Sequence, residues 1–229
     1  RSAIGVGISC IIIGVIIGSV NMTSLGLNFG NLILRVVGDG HLFLGGLMVM
    51  IMSIILGMGV PTTANYVIMA TTCAPILMQM NMPVLCAHMF VFYFGIVADI
   101  TPPVALAAYA GSAIAKSNPM KTALNASRLA IAAFIVPYIF AFNPAMLFID
   151  TGVLGVVTII ITSLIGLFGV AAGLEGYMFA NLNVIERLLS IVGGLCLIIP
   201  GTVTDLVGIV LVGISAALQM MKKKKAAVA

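Results

Sequence analysis

Apolar stretches of two lengths alternate with short polar segments along this chain. Each longer stretch has roughly the 17–25 residues that a helix needs to cross the hydrocarbon core of a membrane. The shorter stretches cannot cross it alone. The pattern therefore predicts an all-α polytopic membrane protein. The longer stretches cover residues 4–20, 120–142, 152–173 and 203–221.

Residues 41–80 contain two of the shorter apolar stretches, joined by the Gly-, Pro- and Thr-rich segment 56–66. Each arm is shorter than the roughly 20 residues of a spanning helix. Non-helical backbone at membrane depth is tolerated only where it is buried in protein or lines a cavity. We therefore predict a re-entrant helical hairpin over residues 41–80, with its tip at 57–62 near the middle of the membrane. Secondary transporters hold ions and substrates at such places.

Residues 83–116 are predicted to form a second interrupted element. Two consecutive prolines, Pro102 and Pro103, remove two amide donors and disfavour α geometry at Thr101. We expect Thr101 to cap a second half-helix over residues 104–115, with Pro102 at its first position. The result is one discontinuous transmembrane helix, whose break should meet the hairpin tip near the midplane.

Two mixed segments are predicted to lie at the membrane surface. Residues 21–40 combine apolar positions at helical spacing with polar and charged residues, which favours an amphipathic interfacial arm. Residues 174–187 form a second interfacial segment, in which Glu186 and Arg187 are expected to be a solvated pair. The apolar stretches around the second segment predict about three transmembrane helices in the C-terminal part of the chain.

Composition excludes a soluble domain. Hydrophobic residues make up 62 % of the chain and charged residues 7 %, whereas a soluble domain has about 25 % charged residues. The chain has no Trp and no basic segment interleaved with aromatic residues, so nucleic acid is not an expected partner. Membrane lipid is the expected surrounding.

The basic residues predict the orientation. The lysine run 222–225 anchors the C-terminus in the cytoplasm or contacts anionic lipid, and the two roles are compatible. With this tail in the cytoplasm, counting helices backwards places nine of the ten basic residues on the cytoplasmic side, with Arg35 as the exception. The hairpin then opens to the outside of an inner membrane, in agreement with the positive-inside rule.

Three ordered motifs stand at the two predicted breaks and between them. They are GMGVPTTANY at residues 57–66, HMFVFYF at 88–94 and ADITPPVAL at 98–106. Together they resemble the large membrane subunit of tripartite ATP-independent periplasmic (TRAP) transporters, over residues 1 to about 144. Residues 174–177 and 195–205 are similar to the C-terminal extension of fused TRAP permeases, in which the small and large membrane subunits form one polypeptide.

The resemblance implies an elevator-type transporter of inverted repeats, in which a sodium gradient drives uptake of a small, usually carboxylate-bearing solute. It also implies an extracytoplasmic solute-binding protein, commonly of the TAXI type for fused permeases. Within this chain we expect only the C-terminal repeat, at residues 1–147, followed by an extension at 148–229. The N-terminal repeat and the small-subunit helices would belong to the same permease, and this chain alone is expected not to catalyse uptake.

Candidate ligands for the ion and the solute concentrate at the two breaks. The tip glycines either turn carbonyls toward a cation or permit a tight turn, and the threonines either supply neutral oxygens or cap a helix. Asp99 is the one carboxylate predicted deep in the membrane, and it is either functional or an acceptor for freed amides. No cofactor is expected besides the coupling sodium ion. The candidate binding residues are Gly57, Gly59, Thr62, Thr63, Asn65, Asp99, Thr101 and Pro102, with Gly59, Thr62 and Thr101 as sodium ligands.

Two functions other than transport are alternatives: a scaffold or assembly module, and an intramembrane aspartyl protease. Residues 152–229 carry little intramembrane charge, which suits a scaffold or assembly module. An intramembrane aspartyl protease would need two carboxylates close together at the same depth, and Asp39 and Asp99 are the available pair. Because Asp39 is predicted to lie outside, before the hairpin, we predict no enzymatic activity.

Overall fold

In a computed structural model of the chain, every regular element of the described residues is a helix, apart from an isolated β-bridge between Tyr177 and Asn181. The predicted all-α class is therefore confirmed for this part of the chain. The predicted span 4–20 lies largely outside the described residues, and so do Asp39 and Gly59. The structure describes residues 11, 14–15, 18–19, 22–37, 41–57, 60, 62–103 and 105–228.

The chain divides into two compact units, Arg1–Ala141 and Phe142–Ala229, with the division before the predicted boundary at 147. The first unit is built from short helices separated by breaks. These are α1 (Leu25–Val37), α2 (Leu42–Gly57), α3 (Thr62–Thr72), α4 (Ala74–Gln79), α5 (Val84–Val97), a 3₁₀ turn (Ala98–Ile100), α6 (Leu106–Ala115), α7 (Pro119–Leu129) and α8 (Ile131–Phe142).

Helices α2, α3 and α4 occupy the region predicted as the hairpin, and all three pack against α5. The first arm, α2, is 16 residues long. The second arm is divided at Cys73, because Pro75 near the start of α4 has no N–H with which to continue the hydrogen bonding of α3. Two short arms therefore lie against one helix of the broken element.

Aromatic side chains of α5 and α8 form the core of the first unit. Phe90 and Phe94 are fully buried, and the Tyr138 ring centroid lies 5.2 Å from that of Phe90 and 6.0 Å from that of Phe94, edge to face. Gly46 of α2 faces this cluster, and a Cβ there would lie 3.3 Å from the Tyr138 ring. This core holds the first hairpin arm against α5.

The span predicted over residues 120–142 is not one straight helix. The pair α7 and α8 is bent by 40° around Ala130. Just before the bend, the Ser127 hydroxyl donates to Ala123 O at 3.1 Å and to Ile100 O at 2.9 Å. A serine that bonds back to the carbonyl four residues earlier commonly bends a helix.

The break after α5 differs from the predicted cap. The second half-helix, α6, begins at Leu106 rather than at residue 104, and its capping residue is Ala105. Instead of capping α6, the Thr101 hydroxyl donates to Val97 O at 2.7 Å. The Thr101 N–H is bonded to Ala98 O, and Pro102 has no N–H to donate. The Thr101 hydroxyl therefore pairs the Val97 carbonyl, which the end of α5 would otherwise leave without a donor.

The second unit contains a 3₁₀ turn (Pro144–Leu147) and helices α9 (Val153–Glu175), α10 (Val184–Ile198) and α11 (Thr202–Val228). Glycines let α9 and α10 approach closely. A Cβ at Gly194 would lie 2.5 Å from Gly166 O, and a Cβ at Gly166 would lie 2.7 Å from Gly194 O. Only glycine at both positions allows this contact.

Glu186 and Arg187 are not the solvated pair that the sequence predicted. Glu186 is 6 % exposed, and its carboxylate accepts hydrogen bonds from Gln219 Nε2 and Lys222 Nζ, both at 2.7 Å, and from the Asn183 N–H at 2.9 Å. Arg187 instead donates to the carbonyl oxygens that end α9. The C-terminal end of a helix carries a partial negative charge that attracts such a cation.

Two helices of the described residues, Val153–Glu175 and Thr202–Lys222, are long and apolar enough to cross a membrane. The bent pair α7 and α8 would make a third if it acts as one span. Helix α10 has 15 residues, which at ~1.5 Å per residue is shorter than a hydrocarbon core of ~30 Å. Several apolar helices of this protein are thus too short to span.

Candidate functional site

Asn65, in the first turn of α3, is held in a slot between two glycines. Its side chain is buried at 2 % exposure, and its Nδ2 donates to Gly95 O of α5 at 2.7 Å. A Cβ at Gly57 would lie 2.7 Å from Asn65 Nδ2, and one at Gly95 would lie 3.0 Å from the same atom. The last residue of the first arm, the start of the second arm and α5 therefore meet around one amide group.

The other half of this amide is unpaired. Asn65 Oδ1 is buried and has no hydrogen-bond partner within the described part of the chain. A buried acceptor left without a partner costs about 1–3 kcal/mol, and such groups are uncommon in folded proteins. An amide oxygen in this position is suited to bind a cation or a donor group.

The break of the discontinuous helix reaches the same place. A Cβ at Gly57 would lie 3.0 Å from Ala98 Cβ, the first residue of the 3₁₀ turn after α5. The C-terminal ends of α2 and α5 are therefore neighbours. Each such end carries a partial negative charge from its last carbonyl groups, so this corner of the unit favours a cation.

The candidate residues from the sequence are distributed unevenly around this corner. The close contacts above join Gly57 and Asn65, but they do not include Thr62, Thr63 or Pro102. Thr62 and Thr63 are exposed on the first turn of α3, whereas Asp99, Thr101 and Pro102 are partly exposed along the break. Gly59 lies outside the described residues. A cis peptide bond joins Pro102 to Pro103.

Residues that the sequence interpretation missed fasten α3 to α5. Gly95 accepts from Asn65, and a lone glycine within an aromatic-rich helix was the available signal. About two turns further from the break along α5, the Tyr66 hydroxyl lies 3.1 Å from His88 Nδ1. The Tyr66 ring packs edge-on against Phe92 with centroids 5.5 Å apart. Asn65 and Tyr66 are neighbours in sequence, so two hydrogen bonds fix the start of the second arm.

Comparison with known proteins identifies the family to which this sequence is similar. Residues 1–154 match the family described as the tripartite ATP-independent periplasmic transporter, DctM component. This match covers the whole first unit and the start of the second. No curated protein and no solved structure matches the chain.

Proposed function

This chain belongs to the DctM family of tripartite ATP-independent periplasmic transporters, and we propose that it helps a permease to couple sodium entry to import of a small, carboxylate-bearing solute. The family and the apolar helices support a transporter component that is an integral inner-membrane protein. Sodium coupling, the solute class and the route of delivery are our inferences.

The unpaired Asn65 Oδ1 is the observation that carries this proposal. A group that is costly to leave unpaired in an apolar surrounding becomes favourable when a ligand supplies the missing interaction. Sodium accepts neutral oxygen ligands, and the adjacent C-terminal ends of α2 and α5 lower the cost of bringing a cation here. Asn65 therefore joins Gly59, Thr62 and Thr101 as a proposed sodium ligand.

Thr101 suits this role despite its internal hydrogen bond. Its hydroxyl proton is donated to Val97 O, which leaves the oxygen lone pairs available to a cation. The solute carboxylate would bind near the N-terminal end of α3, where Thr62 and Thr63 are exposed. The first turn of a helix has N–H groups without intrahelical partners, which suits an anion. Ion and solute would then share one pair of helix breaks, with Gly57, Asp99 and Pro102 shaping the backbone.

We infer the rest of the proposed permease from the family resemblance. An extracytoplasmic solute-binding protein of the TAXI type would deliver the solute to the side where the re-entrant hairpin opens. The N-terminal repeat and small-subunit helices would complete an elevator-type fold of inverted repeats. The lysine-rich C-terminus would lie in the cytoplasm, and residues 148–229 would be the extension of a fused permease.

Transport by the full-length permease with its binding protein, reconstituted in proteoliposomes, tests this function. We expect an inward sodium gradient to drive accumulation of a carboxylate solute without ATP. Replacing sodium by potassium or choline should abolish accumulation. Uptake that proceeds equally well without sodium would contradict the coupling, and uptake that requires ATP would contradict the transporter class.

A scaffold role is a second candidate for the C-terminal unit alone. Its helices are joined by glycine contacts and by the internally paired Glu186, Gln219 and Lys222, which favours a rigid body over a moving one. Removing residues 155–229 from the full-length permease should then lower the amount of protein in the membrane. If the remaining protein kept its abundance but lost sodium dependence, the scaffold role would be wrong.

A further inference from the structure

The second unit contains a cavity of about 240 Å³ beside the early turns of α9 and the connector between α10 and α11. At ~30 Å³ for each water molecule, this volume is roughly that of eight waters. The cavity is therefore too large to be filled by one bare ion. Its volume is that of a polar group of several atoms.

The walls of the cavity combine apolar and polar residues. Thr158, Thr162 and Ser163 line it from α9, and Asn143 lines it from the segment before the 3₁₀ turn. Ser163 is 3 % exposed, and its hydroxyl has no hydrogen-bond partner among the described residues. A hydroxyl that is buried but faces an open space is available to a ligand.

Asp205, in the first turn of α11, is the one charged residue among those that line the cavity. No ion pair or hydrogen bond joins its carboxylate to another group in the described part of the chain. A carboxylate on a helix that is apolar enough to span a membrane is costly without a partner. A cation with N–H donors would supply such a partner.

We propose that this cavity binds the headgroup of a phospholipid that carries a primary ammonium group. The ammonium would pair with Asp205, while the Asn143 amide and the Ser163 hydroxyl would donate to the phosphate. Leu154 precedes Thr158 of the lining by one turn of α9, and Leu206 follows Asp205 directly on α11. They are 82 % and 66 % exposed, so they would contact the acyl chains. A soluble ammonium compound would leave these apolar side chains uncovered.

Native mass spectrometry of the purified full chain tests the proposal. The protein is exchanged into detergent with equal amounts of phosphatidylethanolamine, phosphatidylcholine and phosphatidylglycerol, and the retained lipid is counted. We expect phosphatidylethanolamine to be retained preferentially, because only its headgroup has both N–H donors and a phosphate. Asp205→Asn should lower this retention about tenfold, the usual effect of losing a hydrogen bond to a charged group.

Asp150→Asn is the matched control, because Asp150 is exposed and does not line the cavity. It should leave lipid retention unchanged. Should Asp205→Asn fail to fold, Asn143→Leu provides a second test and should lower retention of phosphatidylethanolamine by several-fold. Equal retention of the three lipids, or retention that does not depend on Asp205 and Asn143, would overturn the proposal. Complete displacement by free phosphoethanolamine would overturn the lipid assignment in favour of a soluble ligand.

Discussion

The two units of this protein use breaks and polar groups in opposite ways. In the first, helices stop at Gly57 and Val97, and one oxygen of the buried Asn65 amide has no hydrogen-bond partner among the residues that the structure describes. In the second, α9 runs for 23 residues and α11 for 27 without a break, and the buried carboxylate of Glu186 is paired by three donors.

The difference separates a unit with unused binding capacity at its helix breaks from one whose helices are held together by close glycine contacts and by the paired Glu186 carboxylate. An unpaired buried oxygen gives a ligand something to bind, at a cost to the stability of the free protein. Close glycine contacts and a paired carboxylate stabilise one arrangement of helices. We therefore expect substitutions in the first unit to change ion dependence, and substitutions in the second to change stability.

The largest expected effect is from Gly194→Leu in the second unit. The new side chain cannot fit, because a Cβ there already lies 2.5 Å from Gly166 O and 2.8 Å from Val170 N. We expect a loss of ~3 kcal/mol or more, as for severe overpacking, measured as a lower thermal midpoint of the purified protein in detergent. Gly213→Leu is the control, since a Cβ there meets nothing within 4 Å. Equal midpoints for the two variants would refute the glycine contact.

Asn65→Ala in the full-length permease should give the next largest effect, in the first unit. It removes the proposed oxygen ligand, and we expect about tenfold more sodium to be needed for half-maximal uptake. The measurement is initial uptake against sodium concentration. Thr71→Ala in the same arm should leave the curve unchanged, because Thr71 bonds only to carbonyls of its own helix. An unchanged sodium dependence for Asn65→Ala would mean that Asn65 has only a packing role.

Glu186→Gln should destabilise the second unit by about 1–2 kcal/mol, less than for a fully buried pair, because the Lys222 side chain is 37 % exposed. The hydrogen bond from Lys222 lowers the pKa of Glu186 from its ordinary value of 4.5. The stabilisation is therefore present above pH 4.5 and is lost as the pH falls through the lower folded-state pKa.

Unfolding midpoints of the parent and Glu186→Gln, measured from pH 7 down to about pH 3, should converge at the acid end as the carboxylate protonates. Asp150→Asn, an exposed carboxylate outside the network, should show no such convergence. A constant difference between parent and Glu186→Gln across this range would mean that the ion pair does not stabilise the unit.

The smallest expected effect is from Thr101→Ala. Loss of the hydroxyl bond to Val97 O should cost the first unit about 1 kcal/mol. The proposed ligand role predicts in addition a several-fold weaker sodium activation of uptake, and Thr62→Ala should have a similar effect on sodium with less effect on stability. If both variants kept the sodium dependence of the parent, the threonines would have local hydrogen-bonding roles only.

The sequence by itself determined the class, the family resemblance and the positions of the breaks. Apolar length, Gly57 and the Pro102–Pro103 pair are local properties, because a proline lacks an N–H wherever it stands and a short apolar arm cannot span. For the same reason the bounds predicted for α9, residues 152–173, are close to the observed Val153–Glu175.

The tertiary structure alone decided which polar groups are paired. Asn65 meets Gly95, which is 30 residues away, and Glu186 meets Lys222, which is 36 residues away. Neither contact has a local sequence signal, so Glu186 looked solvated and the Thr101 hydroxyl looked like a cap. Whether a polar side chain finds a partner depends on which helices pack together and at what distance. Glycines such as Gly57 and Gly194 set that distance only when a second helix lies against them.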